Sequence, residues 1–349
     1  MEETLKMAQT KTKSMRLLGI NAALFSALFL GLAPIFGKQA IDQNFPPLGV
    51  VAYRTFLATG LLFIVVAIFQ RKYLYIYPAG LLGCFLAGFI NGVGSLFYYG
   101  ALGRIDAGIG QLLYSLYPFF VAFWMLLDHH PPTRLTILRL IIAIPAVFLL
   151  IQIGTDDVDL VGVLMMLIAS ALYALHLPIN QRVLYDIPAP TVTLYTLIAM
   201  SAVVVPTFFI FETNQFLPTT MKVWWPIIGL TLVTFFSRLT LFTGVKHLGG
   251  MQTALLGLSE LVVTIVLSQT WLNEQLEWPQ WIGASLLTLS LLLITWEKPQ
   301  PPRYKKGGWF SWISAPPGIS SSEISSQSEE IDASIYSEPT PPPEERLSS

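Results

Sequence analysis

Two ionisable residues lie deep inside long apolar segments: Arg238 in TFFSRLTLF and Glu260 in LLGLSELVVTIV. If these segments cross a membrane, each charge costs about 3 kcal/mol even on lenient scales, so each requires a partner or a function. A short turn between the two segments would bring Arg238 and Glu260 to similar depth, where they could form a static ion pair. Alternatively, Glu260 binds a proton or Arg238 binds an anion. Because a neighbouring arginine favours the ionised carboxylate, these two roles compete unless the pair separates.

A third charge, Arg54, lies about two helical turns inside another apolar segment. It could contact a substrate or form part of a gate. The alternative, which we favour, is a structural role in which it binds loop carbonyls or lipid headgroups. Lys38 and Arg182 end two similar segments and are typical of interfacial anchors.

Other chemistries lack the residues that they need. Asp128, His129 and His130 precede two prolines without the spacing of metal ligands, which favours a solvated loop. The sequence contains no P-loop to use ATP, and no G-x-S-x-G or Cys/His pair to provide a nucleophile. We therefore predict that the chain is not an enzyme, with no catalytic residues, no metal and no cofactor.

The elements that would position these charges are ten apolar segments of about 20 residues, the length that a bilayer core requires of a helix. Of the 349 residues, 54% are hydrophobic and only 12% are charged, against about 25% charged residues in soluble proteins. A soluble enzyme is thereby excluded, and a net charge of −1 with one cysteine excludes a basic nucleic-acid binder and a disulfide scaffold. The segments are 17–37, 47–69, 78–101, 105–127, 135–153, 160–180, 190–211, 224–245, 249–271 and 279–296.

Basic residues predict the orientation of these segments. With the amino terminus in the cytoplasm, fourteen lysines and arginines fall on the inner side, and only Lys38, Arg104 and Lys222 fall on the outer side. This bias follows the positive-inside rule and predicts that both termini are cytoplasmic. No small-residue cleavage site follows the first apolar segment, so we expect a first span and not a removed signal peptide.

Composition divides the chain into four parts. These are a polar segment (1–16), two apolar halves (17–153 and 160–297) and a tail (298–349). The tail is rich in Ser, Pro and Glu and has few apolar residues, so we predict that it is disordered and cytoplasmic. The stretch RYKKGGWFSWI near its start suits either an interfacial anchor or a solvated flank.

The two apolar halves resemble each other. SALFLGLAPIFGK (26–38) aligns without gaps on SALYALHLPINQR (170–182) at an offset of 144, which would also pair Pro46 with Pro190. SLFYYGALGRIDAGIGQLL (95–113) aligns loosely on SRLTLFTGVKHLGGMQTAL (237–255) at an offset of 142. A unit of five spans that is repeated once places its copies in opposite orientations. Inverted repeats are typical of secondary transporters, whose substrate site lies between the copies near the midplane.

In these features the chain resembles the EamA-type permeases of the drug/metabolite transporter superfamily over roughly residues 17–297. AYRTFLATGLLF (52–63) is similar to the family's second span, and Glu274 and Gly283 match its pattern at the last span. The first half departs from that pattern, with Pro132 and Ile141 at the corresponding positions. The resemblance implies an all-α polytopic membrane protein with ten transmembrane helices as two inverted five-helix repeats.

The resemblance also implies which spans surround a cavity, and amide, tyrosine and histidine side chains cluster on those spans. Such a lining suits small amphipathic solutes, although hydrogen bonding between helices is the alternative for each side chain. Gln111 and Tyr114 share one helical face. The candidate substrate-binding residues are Arg238, Glu260, Asn91, Tyr98, Gln111, Tyr114, Tyr173, His176 and Gln252.

We therefore expect a secondary transporter of small organic metabolites, such as amino acids, nucleobase-like or drug-like solutes. Export by alternating access is expected, with coupling to protons or to the solute gradient. The alternatives are a membrane-embedded enzyme or lipid-handling protein, and a non-transporting receptor or scaffold that uses the tail. The expected partners are a small-molecule substrate and membrane lipid, without nucleic acid; a homodimer is a further option. The plasma membrane is the expected location.

Overall fold

The computed structural model describes residues 2–127, 134–151, 159–184, 187–212, 221–273 and 278–293. Every regular element in these ranges is a helix. The α-helices are α1 (Glu2–Asp42), α2 (Pro47–Phe69), α3 (Pro78–Leu102), α4 (Ala107–Tyr114), α5 (Tyr117–Leu127), α6 (Arg134–Ile151), α7 (Leu160–Val183), α8 (Ala189–Phe211), α9 (Met221–Leu248), α10 (Gly250–Gly257), α11 (Ser259–Trp271) and α12 (Trp278–Leu292), and a 3-10 helix (Arg71–Leu74) follows α2.

Within the described residues, eight helical segments are long and apolar enough to cross a membrane. The chain is therefore a multi-pass integral membrane protein. The predicted fifth and tenth spans correspond to α6 and α12, whose described lengths are 18 and 15 residues. These two helices are not among the eight candidates, so the structure does not confirm ten spans. The predicted tail, Glu274, Pro132 and the Asp128–His130 segment lie outside the described residues.

Two of the eight spans are broken in the middle, at corresponding places in the two halves. The first break separates α4 from α5 at Ser115 and Leu116, and the second separates α10 from α11 at Leu258. Pro118 explains the first break, because proline has no N–H to donate to the carbonyl of the residue four positions earlier. That carbonyl belongs to Tyr114, and it accepts a hydrogen bond from the Ser170 hydroxyl at 2.9 Å.

The second break has a different cause, since no proline lies near it. The Tyr117 hydroxyl donates to the carbonyl oxygen of Ala254 at 2.9 Å, and this carbonyl would otherwise accept from the N–H of Leu258. The Tyr117 hydroxyl also lies where a Cβ on Gly257 would be, so only glycine fits there. Each break is therefore stabilised by a hydroxyl group from the other half of the chain.

The two halves are packed across each other. Helix α1 packs mainly on α9, and its counterpart α7 packs mainly on α3. The pairs are antiparallel. Gly19, early in the first apolar span, lies against His247 at the end of α9, whereas Phe36 lies against Gly229 early in α9. Likewise Gly94 in α3 lies against Leu172 in α7, and Gly100 lies against the earlier Met165. The Ser26 hydroxyl also donates to the carbonyl of Ser237 at 3.0 Å. The core is thus built between the halves and not within each half.

The structure corrects one part of the predicted repeat alignment. Pro46 corresponds to Pro188 and not to Pro190, because these two prolines are the N-cap residues of α2 and α8, which are both 23 residues long. The chain from Arg182 to Pro188 is two residues shorter than the chain from Lys38 to Pro46, so the offset changes from 144 to 142 between the first and second helix of each half. With this offset, Tyr53 corresponds to Tyr195.

A surface ion pair joins the end of α3 to the start of α7. Asp159 is the N-cap residue of α7, and its Oδ1 accepts from the N–H groups of Val161 at 2.9 Å and Gly162 at 3.4 Å. Its Oδ2 accepts from Arg104 Nη1, also at 2.9 Å. The pKa of Asp159 is lowered from its usual value, mainly by the hydrogen bond from Arg104 and also by the two backbone N–H groups.

We predict that Asp159→Ala lowers the melting temperature of the purified protein by a few degrees at pH 7, because α7 loses its cap. Asp159→Ser keeps a capping oxygen and should stay near wild type, since exposed ion pairs contribute little. Because the pKa of Asp159 is lower in the folded state than the unfolded value of about 4, the ionised carboxylate stabilises the folded protein at pH values above about 4. This stabilisation is lost as the pH falls through the folded-state pKa. The difference between wild type and Asp159→Ala should shrink accordingly in acid. If Asp159→Ser melts as early as Asp159→Ala, the ion pair is the stabilising contact.

Candidate functional site

A polar cavity lies between helices from both halves of the chain. It holds about 460 Å³ of space not filled by atoms, including the part that opens to solvent. Seven of the nine candidate residues line it: Arg238, Glu260, Asn91, Tyr98, Gln111, Tyr114 and Tyr173. The remaining lining residues are Leu30, Ala33, Arg54, Gly94, Ser95 and Tyr99. Residues that are far apart in the sequence therefore form one chamber.

Arg238, on α9, is 5% exposed and is held by neutral groups. Its Nη2 donates to Asn91 Oδ1 at 3.4 Å, and its Nη1 donates to His176 Nε2 at 3.5 Å. Rotating the Asn91 amide by 180°, which its neighbours favour, brings its oxygen within 3.1 Å of both guanidinium nitrogens. The guanidinium also lies 5.8 Å from the centre of the Tyr173 ring, within range of a cation–π contact.

His176, one turn after Tyr173 on α7, does not line the cavity but contacts its lining. Its Nδ1 pairs with the backbone carbonyl of Tyr173, which can only accept, so Nδ1 carries the proton. Its Nε2 is then free to accept from Arg238, which can only donate. The geometry therefore assigns a neutral imidazole that orients the arginine.

Arg54, on α2, is also buried, with 6% exposure. Its Nη1 donates to Thr234 Oγ1 at 3.2 Å, and its Nη2 donates to Ser95 Oγ at 3.3 Å. The guanidinium lies over the ring of Tyr99, with Cζ 4.6 Å from the ring centre. Sequence reasoning favoured loop carbonyls or lipid headgroups as its partners, and this is wrong: Arg54 binds side chains and lines the cavity. No signal in the sequence identifies Thr234 and Ser95 as its partners.

Glu260 lies in the first turn of α11, directly after the break, and is 1% exposed. Gln111 hydrogen-bonds to its carboxyl group. The Oε1 of Gln111 in turn accepts from the Tyr98 hydroxyl at 3.2 Å, so its amide N–H is available to the carboxyl. Among the described residues, Arg238 and Glu260 do not form the ion pair that their depth suggested, although both line the cavity.

Four tyrosine rings form a continuous row, and three of them, Tyr98, Tyr114 and Tyr173, line the cavity. Tyr98 and Tyr114 lie 4.9 Å apart between ring centres, Tyr114 and Tyr173 5.2 Å, and Tyr173 and Tyr117 5.0 Å. Such edge-to-face and tilted contacts fix ring orientation.

Gln252, in the described helix α10, lies outside the cavity lining, so the structure does not bring this candidate to the others. A role in substrate binding stays a prediction for all nine residues.

Glu260 is positioned by a close approach of α1 to α11. A Cβ on Gly31 would lie 2.6 Å from the carbonyl oxygen of Glu260 and 2.7 Å from Val263 Cβ. The Thr264 hydroxyl donates back to the carbonyl of Gly31 at 2.9 Å. Because backbone lies directly against backbone here, the depth and direction of Glu260 depend on a small residue in α1.

Apolar helices from two similar halves around a buried polar cavity are typical of secondary transporters. The EamA-like transporter family matches residues 17–153 and 160–296, so the chain belongs to this family and contains two copies of its unit. One solved crystal structure is similar with a TM-score of 0.61 and 18% identity, over 81% of this chain and 98% of that one. That identity shows a shared fold alone. No curated protein sequence matches this chain significantly.

We predict that Gly31→Ala destabilises the protein by about 1–3 kcal/mol, because the added methyl forces α1 and α11 apart. The matched control is Gly60→Ala in α2, where a Cβ would meet no atom within 4 Å; it should be neutral or stabilising. Both variants can be compared by thermal unfolding in detergent. Equal melting temperatures for the two variants would contradict the close approach of α1 to Glu260.

Proposed function

We propose that this chain is a secondary transporter of small organic solutes and that its substrate occupies the cavity around Arg238 and Glu260. One observation carries the proposal: both halves contribute to the cavity, and buried polar atoms there lack partners. Within the described part of the chain, these atoms are Arg54 Nε, Tyr99 Oη and Glu260 Oε1. Buried polar atoms are nearly always hydrogen-bonded, because an unpaired one costs about 1–3 kcal/mol. A solute or water that enters the cavity would supply the missing partners.

Alternating access requires a closure at each end of the cavity. The two halves supply two closures, which are built from corresponding positions of the repeat. The first closure packs Phe45 and Tyr53 against Phe208 and Trp224, with ring centres 5.4–5.7 Å apart. Phe45 and Tyr53 belong to the first half, and their partners belong to the second half. These aromatic contacts therefore join the start of α2 to the end of α8 and the start of α9.

The second closure uses the corresponding positions of the other half. In the second half, Ile187 corresponds to Phe45 and Tyr195 corresponds to Tyr53. Both lie at the start of α8, and the residues that they contact follow the end of α2. Ile187 fills the space where a Cβ on Gly80 would lie, and the Tyr195 hydroxyl donates to the carbonyl of Leu74 at 2.7 Å. Because α2 and α8 are antiparallel, the two closures lie at opposite ends of this helix pair. This arrangement supports inverted repeats and alternating access.

We further propose that α6 and α12 complete ten spans, with five in each half. They pack on each other, and the Ser290 hydroxyl of α12 donates to the carbonyl of Arg139 in α6 at 3.2 Å. The positive-inside bias supports cytoplasmic termini, and the plasma membrane is the proposed location. The same proposal has four further parts. Transport is outward, Glu260 couples it to protons, the helices contact membrane lipid, and two copies of the chain form a homodimer.

Purified protein in liposomes should show saturable counterflow of some solute from a panel of amino acids, nucleobases and drug-like compounds. Glu260→Gln should keep solute binding but lose acceleration by a pH gradient, because its amide cannot exchange a proton. Thr240→Val is a control on α9, since among the described residues the Thr240 hydroxyl bonds to carbonyls of its own helix, at Phe236 and Ser237. Full proton-driven flux in Glu260→Gln would assign this residue to structure, and no counterflow for any solute would overturn the proposed function.

Deleting residues 305–349 should leave counterflow within about twofold of the full chain, because the family match ends at residue 296. Unfolding temperature serves as the control for folding. A truncated protein that stays folded but loses flux would favour the alternative of a receptor or scaffold that works through its tail.

A further inference from the structure

We infer that the solute bound in this cavity is a small organic anion, with one carboxylate on an apolar or aromatic body. The inference rests on the proposed function, and it narrows the substrate to a charge class. Three kinds of observation carry it: the charges that line the cavity, the hydrogen-bond donors left without partners, and the shape of the apolar wall.

The described lining of the cavity has an excess of positive charge. It contains two guanidinium groups, Arg54 and Arg238, and a single carboxyl group, Glu260. With Glu260 ionised the lining has a net charge of +1, and with Glu260 protonated it has +2. His176, which orients Arg238, is neutral in the tautomer that its hydrogen bonds assign. The net charge of the lining is therefore positive in either protonation state of the Glu260 carboxyl group.

Neither guanidinium is neutralised by a direct acidic partner among the described residues. Arg54 binds two hydroxyl groups, those of Thr234 and Ser95, and Arg238 binds an amide and an imidazole. A buried charge is costly unless it is paired, and the cost is greatest far from water. A bound anion lowers the net charge of the chamber, a neutral solute or zwitterion leaves it unchanged, and a cation raises it.

The unpartnered donors lie together at the Arg54 end of the cavity. Within the described residues, Arg54 Nε and Tyr99 Oη have no hydrogen-bond partner, and the Arg54 guanidinium lies 4.6 Å from the centre of the Tyr99 ring. A carboxylate has two oxygens and accepts from both kinds of donor. At 3.5 Å, the Arg238 bond to His176 is long, so this second guanidinium can exchange it for a shorter charge-assisted bond.

The rest of the cavity suits the apolar body of such an anion. Leu30 and Ala33 of α1 line one part, and the rings of Tyr98, Tyr114 and Tyr173 line another. An aromatic ring placed between them would gain both apolar burial and tilted ring contacts. Glu260, which also lines the cavity, would repel a second anionic group brought near it, so one carboxylate fits better than two.

The test compares solutes that share one phenyl skeleton and differ in charge: phenylacetate (anion), phenylalanine (zwitterion), phenethylamine (cation) and 2-phenylethanol (neutral). Binding to the purified full-length chain is measured by thermal stabilisation, since a ligand that binds only the folded state raises the melting temperature. Transport is measured separately by counterflow of labelled phenylacetate, with the others as competitors. We expect phenylacetate to half-saturate at a concentration at least tenfold below that of the other three.

Variants then assign the preference to the arginines. Arg54→Gln should raise the half-saturating concentration of phenylacetate at least tenfold, while 2-phenylethanol changes less than twofold. Arg54→Lys keeps the charge and should recover part of the affinity, which separates charge recognition from misfolding. Arg71→Gln is the control, because this exposed arginine after α2 donates to the carbonyl of Ala67, away from the cavity.

The outcomes separate this inference from the proposed function. If phenylalanine, phenethylamine or 2-phenylethanol binds as well as phenylacetate or better, the anion class is wrong while transport stands. The anion class is equally wrong if none of the four binds but a cationic, zwitterionic or neutral solute shows counterflow. Absence of counterflow for every solute overturns the proposed function as well.

Discussion

The cost of burying two arginines in the middle of a membrane protein is the constraint on which the site depends. Arg54 and Arg238 are 6% and 5% exposed, and their direct hydrogen-bond partners are neutral. Oriented hydroxyl, amide and imidazole groups reduce the cost but leave the positive charge in place. Because of this cost, three helices, α3, α7 and α9, supply the hydrogen-bond partners of the two arginines. Within the described residues, Arg54 Nε and Tyr99 Oη beside them stay without a partner.

The interleaving of the halves keeps this chamber in register. Each broken span has one backbone carbonyl that its own helix does not satisfy, and a hydroxyl from the opposite half donates to it: Ser170 to Tyr114, and Tyr117 to Ala254. The residues next to these breaks, Tyr114 and Glu260, line the cavity. A movement of one half relative to the other must therefore change the breaks and the cavity together. This coupling is what a transporter with alternating access requires.

Properties that depend on neighbours along the chain could be predicted from the sequence, and those that depend on distant partners could not. The family, the repeat and eight membrane-spanning segments follow from apolar length and internal similarity. Pro118 is a local cause of the first break, but the second break depends on Tyr117 from the other half and has no local signal. The ion pair considered as one alternative for Arg238 and Glu260 assumed that equal depth means contact. Helix rotation decides contact, and here it directs Arg238 to Asn91 and His176.

The charges break the symmetry that the helices keep. Arg54 corresponds to Thr196 in the second half, and Glu260 corresponds to Pro118 in the first half. Pro118 and Glu260 are each the second residue of the helix that follows a break. In the proposed mechanism, closures at equivalent positions give both ends of the cavity the same means of opening, and a single set of charges recognises the solute at one place. On that proposal the repeat accounts for the movement, and the residues that depart from the repeat account for the choice of solute.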